Sequence, residues 1–193
     1  MKPSLVQWLR CPVCKSTLTL DQAQGAGDEV AEGCLTCSGC QGRYPIVRSV
    51  PRFVPSDDYA HAFSFEWNIH RTTQLDSVNG RCDSERRFAT TLGAPLEGLR
   101  DKLVLDVGCG TGRFAEVALK YGATVIGIDL SLAVDAAFKN LGTHPRMHIV
   151  QGDVFRLPLR PSLCDLIYSL GVLHHTPDCR RAFEQLPQHL PPQ

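Results

Sequence analysis

Apolar and polar positions divide this chain into two regimes. From Leu103 onward, short apolar runs alternate with stretches of helical period. The runs Leu103–Val107, Thr124–Asp129, Met147–Val150 and Leu163–Leu170 are almost continuously apolar, as expected of parallel strands covered on both faces. Between them, Arg113–Tyr121 reads as a helix ended by Gly122 as its C-cap. Ser131 is a natural N-cap for a helix through Asn140. A last helix opens near Pro177 and is interrupted at Pro187. Strands alternating with helices predict an α/β domain with a parallel sheet. Upstream, Ser84–Leu92 reads as a helix ended by Gly93 and Pro95, with Arg86 and Arg87 on a solvated face. Tyr59, Phe63 and Trp67 fall on one helical stripe, which suits a helix packed on the α/β domain or a lid over its cleft. The first third is poorer in apolar residues. Its polar segment Asp21–Asp28 reads as a turn between two strands, and Pro51 and Pro55 mark its exit.

The densest chemistry follows the first of the parallel strands. In Asp106-Val-Gly-Cys-Gly-Thr-Gly112, three glycines let the chain turn sharply and approach a ligand closely. A dinucleotide fingerprint needs its third glycine five residues after the first; that position is Arg113. Asp106, two residues before the first glycine, would repel a pyrophosphate and welcome a cationic amino group. The turn therefore suits a positively charged nucleoside ligand, a description that S-adenosylmethionine meets.

This stretch resembles the first motif of the class I S-adenosylmethionine-dependent methyltransferases, of the type 11-like group. The resemblance extends over about residues 103–186. It implies a Rossmann-like sheet of strand order 3-2-1-4, and cofactor contacts at Asp106, Gly108, Cys109, Gly110, Gly112, Asp129, Leu130, Asp153, Val154 and Ser169. Asp129, at the end of the second strand, is the expected partner of the ribose hydroxyls, both of which a short carboxylate can accept. Asp153 and the Val154 backbone are expected at the adenine. Gly171-Val-Leu-His-His-Thr-Pro-Asp178 resembles the segment after the fourth strand in a subgroup that includes methylators of quinones and other small molecules. Methyl transfer is an in-line displacement that the protein serves by alignment and desolvation. Should the acceptor arrive protonated, His174 and His175 are the paired candidates to take its proton.

Nine cysteines change the picture of the first third. Cys11-Pro-Val-Cys14 and Cys37-Ser-Gly-Cys40 are two C-x2-C pairs, able to complete a closed, structural tetrahedral zinc shell from two tight turns. Cys34-Leu-Thr-Cys37 has the same spacing, so Cys34 is an alternative ligand. Tyr44-Pro-Ile46 after the second pair resembles the tail of short zinc ribbons. Such ribbons occur as free methyltransferase-activating subunits and fused ahead of methyltransferase domains. The expected division is a zinc ribbon at 1–55, a helical linker or lid at 56–100 and the cofactor-binding domain at 101–193.

Charge and length narrow the remaining choices. Formal net charge is zero overall. It is also zero in each part, with 6 basic and 6 acidic residues in 1–60 and 14 of each in 61–193. That mildly disfavours a polyanionic partner, so a small-molecule acceptor is expected ahead of RNA. Thiols without a secretory signal point to the cytoplasm, and no apolar run is long enough for a membrane span. The chain supplies four of the seven strands the family implies, so it is expected to be truncated or to be completed by a partner. Two other functions fit the same motifs: a non-catalytic ribbon and cofactor-binding module, and an rRNA guanine methyltransferase, one family of which also carries a ribbon.

Overall fold

The computed structural model describes residues 1–27, 29–54 and 71–192. The stripe formed by Tyr59, Phe63 and Trp67 lies outside them. The first third is a four-stranded antiparallel sheet of β1 (Leu18–Ala26), β2 (Glu29–Cys37), β3 (Arg43–Val47) and β4 (Val50–Pro51), in that order. A 3-10 turn, Pro3–Trp8, precedes it.

The second sheet is parallel. It contains β5 (Leu103–Val107), β6 (Thr124–Asp129), β7 (Met147–Gln151) and β8 (Leu166–Tyr168), in the order β7-β6-β5-β8. This is the expected order 3-2-1-4. The helices are α1 (Asp76–Asn79), α2 (Asp83–Leu92), α3 (Arg113–Lys120), α4 (Ala133–Leu141) and α5 (Cys179–Glu184). Among the described residues, no helix is long and apolar enough to cross a membrane.

β8 is shorter than the run 163–170 suggests, because its flanks have other partners. The Leu163 and Cys164 amides donate to the His189 carbonyl at 2.8 and 2.9 Å, not to a neighbouring strand. Beyond Tyr168 the chain turns away, with the Ser169 hydroxyl donating to the Val107 carbonyl at 2.8 Å.

Each strand sends alternate side chains to opposite faces. Val104, Val125 and Ile149 pack against one layer, which contains Phe88 of α2, Val117 of α3 and Val134 of α4. Leu105, Ile126 and Val150 pack against the other, and that layer is not helical. It is built from the amino-terminal third: Leu5, Leu9, Leu35 and Ile46, joined by Leu157 and Leu186. The antiparallel sheet thus covers the second face of the parallel sheet, and the two share one apolar core.

Polar contacts fix the register of this docking. Arg52 forms a parallel bridge with Gln151, and the Phe53 amide donates to the Gln151 carbonyl at 2.9 Å, so the exit from β4 runs beside β7. The buried Arg52 guanidinium donates to Asp135 of α4 at 2.5 Å and to Gln151 Oε1 at 3.2 Å. Arg48 donates to the other Asp135 oxygen at 2.5 Å. Lys2 Nζ donates to the Gly142 and Met147 carbonyls at 2.8 and 3.0 Å.

Burial alone would raise the Asp135 pKa, but the two guanidinium groups outweigh it and hold the carboxyl below its usual range. The unfolded chain therefore takes up this proton at a higher pH than the folded one. Stability from the pair is complete above the ordinary carboxylate pKa and is lost as pH falls through the lowered one. Removing one member of a buried ion pair costs about 3–5 kcal/mol. Asp135→Asn is expected to lower unfolding free energy by that order in urea titrations at pH 7, with the deficit shrinking in acid.

Candidate functional site

Two constellations are assembled, one in each sheet. In the first, Cys11 and Cys14 sit on the turn after the 3-10 segment, Cys37 ends β2 and Cys40 lies on the turn that follows. Their four sulfurs lie within 4.8 Å of one another. Cys11–Cys40 and Cys14–Cys37 approach to 3.6 and 3.4 Å. Zinc–sulfur bonds of about 2.3 Å place tetrahedral sulfurs about 3.8 Å apart, so the spacing fits a metal. The thiols also titrate apart. Hydrogen bonds from Ser16 and from Cys37 hold Cys14 down at about 6. The Gly42 amide favours the Cys40 thiolate, yet proton sharing with Cys11, Cys37 and Cys14 pushes that thiol up to about 12. Four crowded sulfurs do not all ionise without a cation among them. Cys34 is buried outside the cluster, its sulfur 3.8 Å from the Leu35 carbonyl.

The second constellation stands at the carboxyl ends of the parallel strands. After β5 the turn is held by β6, since the Gly108 and Cys109 amides both donate to the Ile128 carbonyl, at 2.7 and 3.1 Å. Gly108 has φ +79°, and a Cβ there would lie 2.4 Å from Val172, so only glycine fits. Gly110 has φ +52° and its missing Cβ would meet open space. Asp129 ties the turn down: Oδ2 accepts from the Gly110 amide at 2.9 Å, and Oδ1 from the Ser131 amide and hydroxyl at 2.8 and 2.7 Å. A carboxylate offers about four acceptor positions. Three are in use within the protein, which leaves Asp129 an acceptor position toward the cavity. Asp153 caps the following turn by accepting from the Phe155 amide at 2.9 Å.

These groups open on a cavity of about 540 Å³. Of the residues singled out in the sequence, Gly108, Cys109, Gly110, Asp129, Leu130, Asp153, Val154, His174 and His175 line it. His174 and His175 sit on an exposed 3-10 turn at its rim, ring centroids 4.0 Å apart. Asp106, Gly112 and Ser169 lie off the wall. Gly112 precedes α3 and packs toward Leu141. The Ser169 hydroxyl is turned inward to the Val107 carbonyl.

Other wall residues carry no motif. Gln74, Arg87 and Phe114 line the cavity from the helical side. Arg113 joins them, its Nε donating to Ser84 Oγ at 2.9 Å and its guanidinium 5.1 Å from the Phe114 ring centroid. The helical period of Ser84–Leu92 placed Arg87 on the polar face but not what that face borders. Gln151 connects the cavity to the amino-terminal sheet: it accepts from Arg52 and donates Nε2 to the Leu130 carbonyl at 2.9 Å.

Asp106 is the electrostatic oddity. It is 2 % exposed, and its Oδ2 has no hydrogen-bond partner among the described residues. The buried Tyr168 hydroxyl beside it likewise completes no hydrogen bond, although its dipole favours the carboxylate. Burial pushes the Asp106 pKa up to about 7; Tyr168 opposes the shift and the charge of Asp129 adds to it. An acid whose folded pKa is raised weakens the fold as pH rises from its unfolded to its folded pKa. Asp106→Asn is expected to raise the melting temperature of the ligand-free protein at pH 8, with the gain vanishing near pH 4.

Comparison with known proteins agrees with this geometry. The methyltransferase domain family matches residues 105–193, and the Trm112p-like protein family matches residues 2–49. Over 85 residues the chain is 35% identical to a ubiquinone biosynthesis O-methyltransferase of Coxiella burnetii, covering 43% of this chain and 36% of that one. Over 102 residues it is 31% identical to a tRNA U34 carboxymethyltransferase of Ruthia magnifica, covering 50% and 32%. The chain thus spans about a third of the length of these relatives. A crystal structure from Methanococcus maripaludis, assigned as an S-adenosyl-L-methionine-dependent methyltransferase, shares the fold with a TM-score of 0.55 at 21% identity, covering 72% of this chain and 63% of that one. One chain thus carries a match to the methyltransferase domain family at residues 105–193 and a match to the Trm112p-like protein family at residues 2–49.

Proposed function

We propose that this protein is an S-adenosylmethionine-dependent methyltransferase with a structural zinc ribbon. The observation that carries the reading is the shared cavity. A glycine turn and the carboxylates of Asp129 and Asp153 line it together, at the ends of three adjacent strands. Its volume of about 540 Å³ lies within the range of small-molecule sites, about 300–1,000 Å³.

The chain's own groups divide the work. Asp129 would accept one ribose hydroxyl through its remaining lone pair, and Asp153 would face the adenine amino group, with the Val154 backbone at the ring edge. Gly110, with open space where a Cβ would be, allows a ligand close to the backbone. The unpartnered Asp106 oxygen beneath the turn favours a cationic ligand above it. Arg87, Arg113 and Gln74 offer donors for a carboxylate at the helical side. Bound S-adenosylmethionine supplies an electrophilic methyl on a good leaving group, so alignment and exclusion of water are the protein's main contribution. His174 and His175 at the rim are placed to accept a proton from a protonated acceptor.

The acceptor we favour is a small molecule, on the zero net charge of the chain and the likeness to a ubiquinone-pathway enzyme. The reduced thiols of a zinc ribbon suit a cytoplasmic setting. Four thiolates would close the zinc shell with no open position, so the metal would support the fold and not the reaction.

Two measurements test these statements. Calorimetric titration with S-adenosylmethionine should show one site per chain, weakened at least tenfold by Asp129→Ala; no binding to the parent chain would remove the cofactor assignment. Metal analysis of the purified protein should find one zinc per chain, lost in Cys37→Ser and kept in Cys34→Ser. A well-folded, metal-free parent would remove the ribbon assignment.

A further inference from the structure

A second cavity lies between the cysteine turn and the parallel sheet. It measures about 340 Å³ and meets the cofactor cavity at a common wall formed by Asp153 and Phe155. Nothing in the motifs of either domain calls for it.

Its surfaces are of two kinds. Tyr44 and Phe53 form one side, ring centroids 4.8 Å apart and tilted by 41°. Phe155 forms the other. Val13, 69 % exposed, stands at the lip. The second kind is cationic: Arg156 and Arg181 both line the cavity and both are exposed. The Arg181 guanidinium lies over the Phe155 ring, 5.4 Å from its centroid. Neither arginine has a carboxylate within ion-pair distance among the described residues, whereas Arg48 and Arg52 do. The one acid on the wall, Asp153, accepts from the Phe155 amide. Two guanidinium groups against one carboxylate leave this cavity a net positive charge beside aromatic faces.

We propose that this cavity is a second ligand site, for a planar ring that carries an anionic group. The ring lies against Tyr44, Phe53 and Phe155, as bases stack on aromatic platforms. The anion takes charge-assisted hydrogen bonds from the Arg156 and Arg181 forks, a geometry that carboxylate and phosphate share. Burying neither group alone accounts for the lining. A purely apolar ligand would strand two guanidinium groups, and a bare anion would leave the aromatic wall uncovered. The Tyr44 hydroxyl also touches Cys11 Sγ at 3.1 Å, so the ring wall is fixed by the cysteine cluster.

The test uses the full chain and four probes: uridine 5′-monophosphate and benzoate, which carry both features, and uridine and inorganic phosphate, which carry one each. Saturable binding of at least one two-feature probe is expected by ligand-observed NMR, with its single-feature counterparts at least tenfold weaker. The phosphate and carboxylate probes report which anion the forks prefer. The surface double variant Arg156→Gln/Arg181→Gln should weaken that binding at least tenfold with an unchanged melting temperature. Asp129→Ala, in the neighbouring cavity, should leave it unaltered. Absence of saturable binding by both two-feature probes, binding indifferent to the double variant, or binding abolished by Asp129→Ala would overturn the proposal.

Discussion

A parallel strand buried on both faces needs a layer on each side, and this requirement shapes the whole molecule. One layer is conventional, with helices α2, α3 and α4 laid on Val104, Val125 and Ile149. The other is supplied by the amino-terminal third, whose Leu5, Leu9, Leu35 and Ile46 close over Leu105, Ile126 and Val150. Fully burying each such side chain is worth about 1.5–3 kcal/mol. The apolar face of a sheet too small to hold a core of its own and the uncovered face of the parallel sheet solve each other's problem.

Apolar contact is non-directional, so it does not choose a register for this docking. The buried pair of Arg52 and Asp135, joined from the surface by Arg48, does, because a slip would strand charges without partners. Its geometry reaches further than the interface. Arg52 also holds Gln151, and Gln151 holds the Leu130 carbonyl, one residue beyond Asp129. The amino-terminal sheet is therefore connected by hydrogen bonds to the wall of the cavity at the strand ends, without any of its described side chains on that wall.

Both chemical centres hold acidic groups close together, where burial or proton sharing opposes the ionisation of Asp106 and Cys40. The cysteine cluster gathers four sulfurs of unequal acidity, and the cleft keeps Asp106 buried beneath a turn already tied to Asp129.

Much of this was legible in the amino-acid sequence alone. The four parallel strands, the glycine turn and the C-x2-C pairs follow from periodicity and short spacings, which act between residues close along the chain; the strand order and the choice of Cys37 with Cys40 come from the family resemblance. What the tertiary structure decided involves residues far apart. Nothing local to Arg52 names Asp135, and nothing in the polar face of α2 shows that Arg87 borders a cavity. The three hydrogen bonds that Asp129 accepts depend on Gly110 and Ser131 meeting it from two turns, and Asp106 is buried beside Tyr168 from a strand more than sixty positions away. The sequence determined which elements form and which residues could bind. Packing determined which of those groups face the cavity, which are spent within the protein, and that the amino-terminal sheet is a wall of the fold, because only close packing brings long-range pairs within the few ångströms over which hydrogen bonds and burial act.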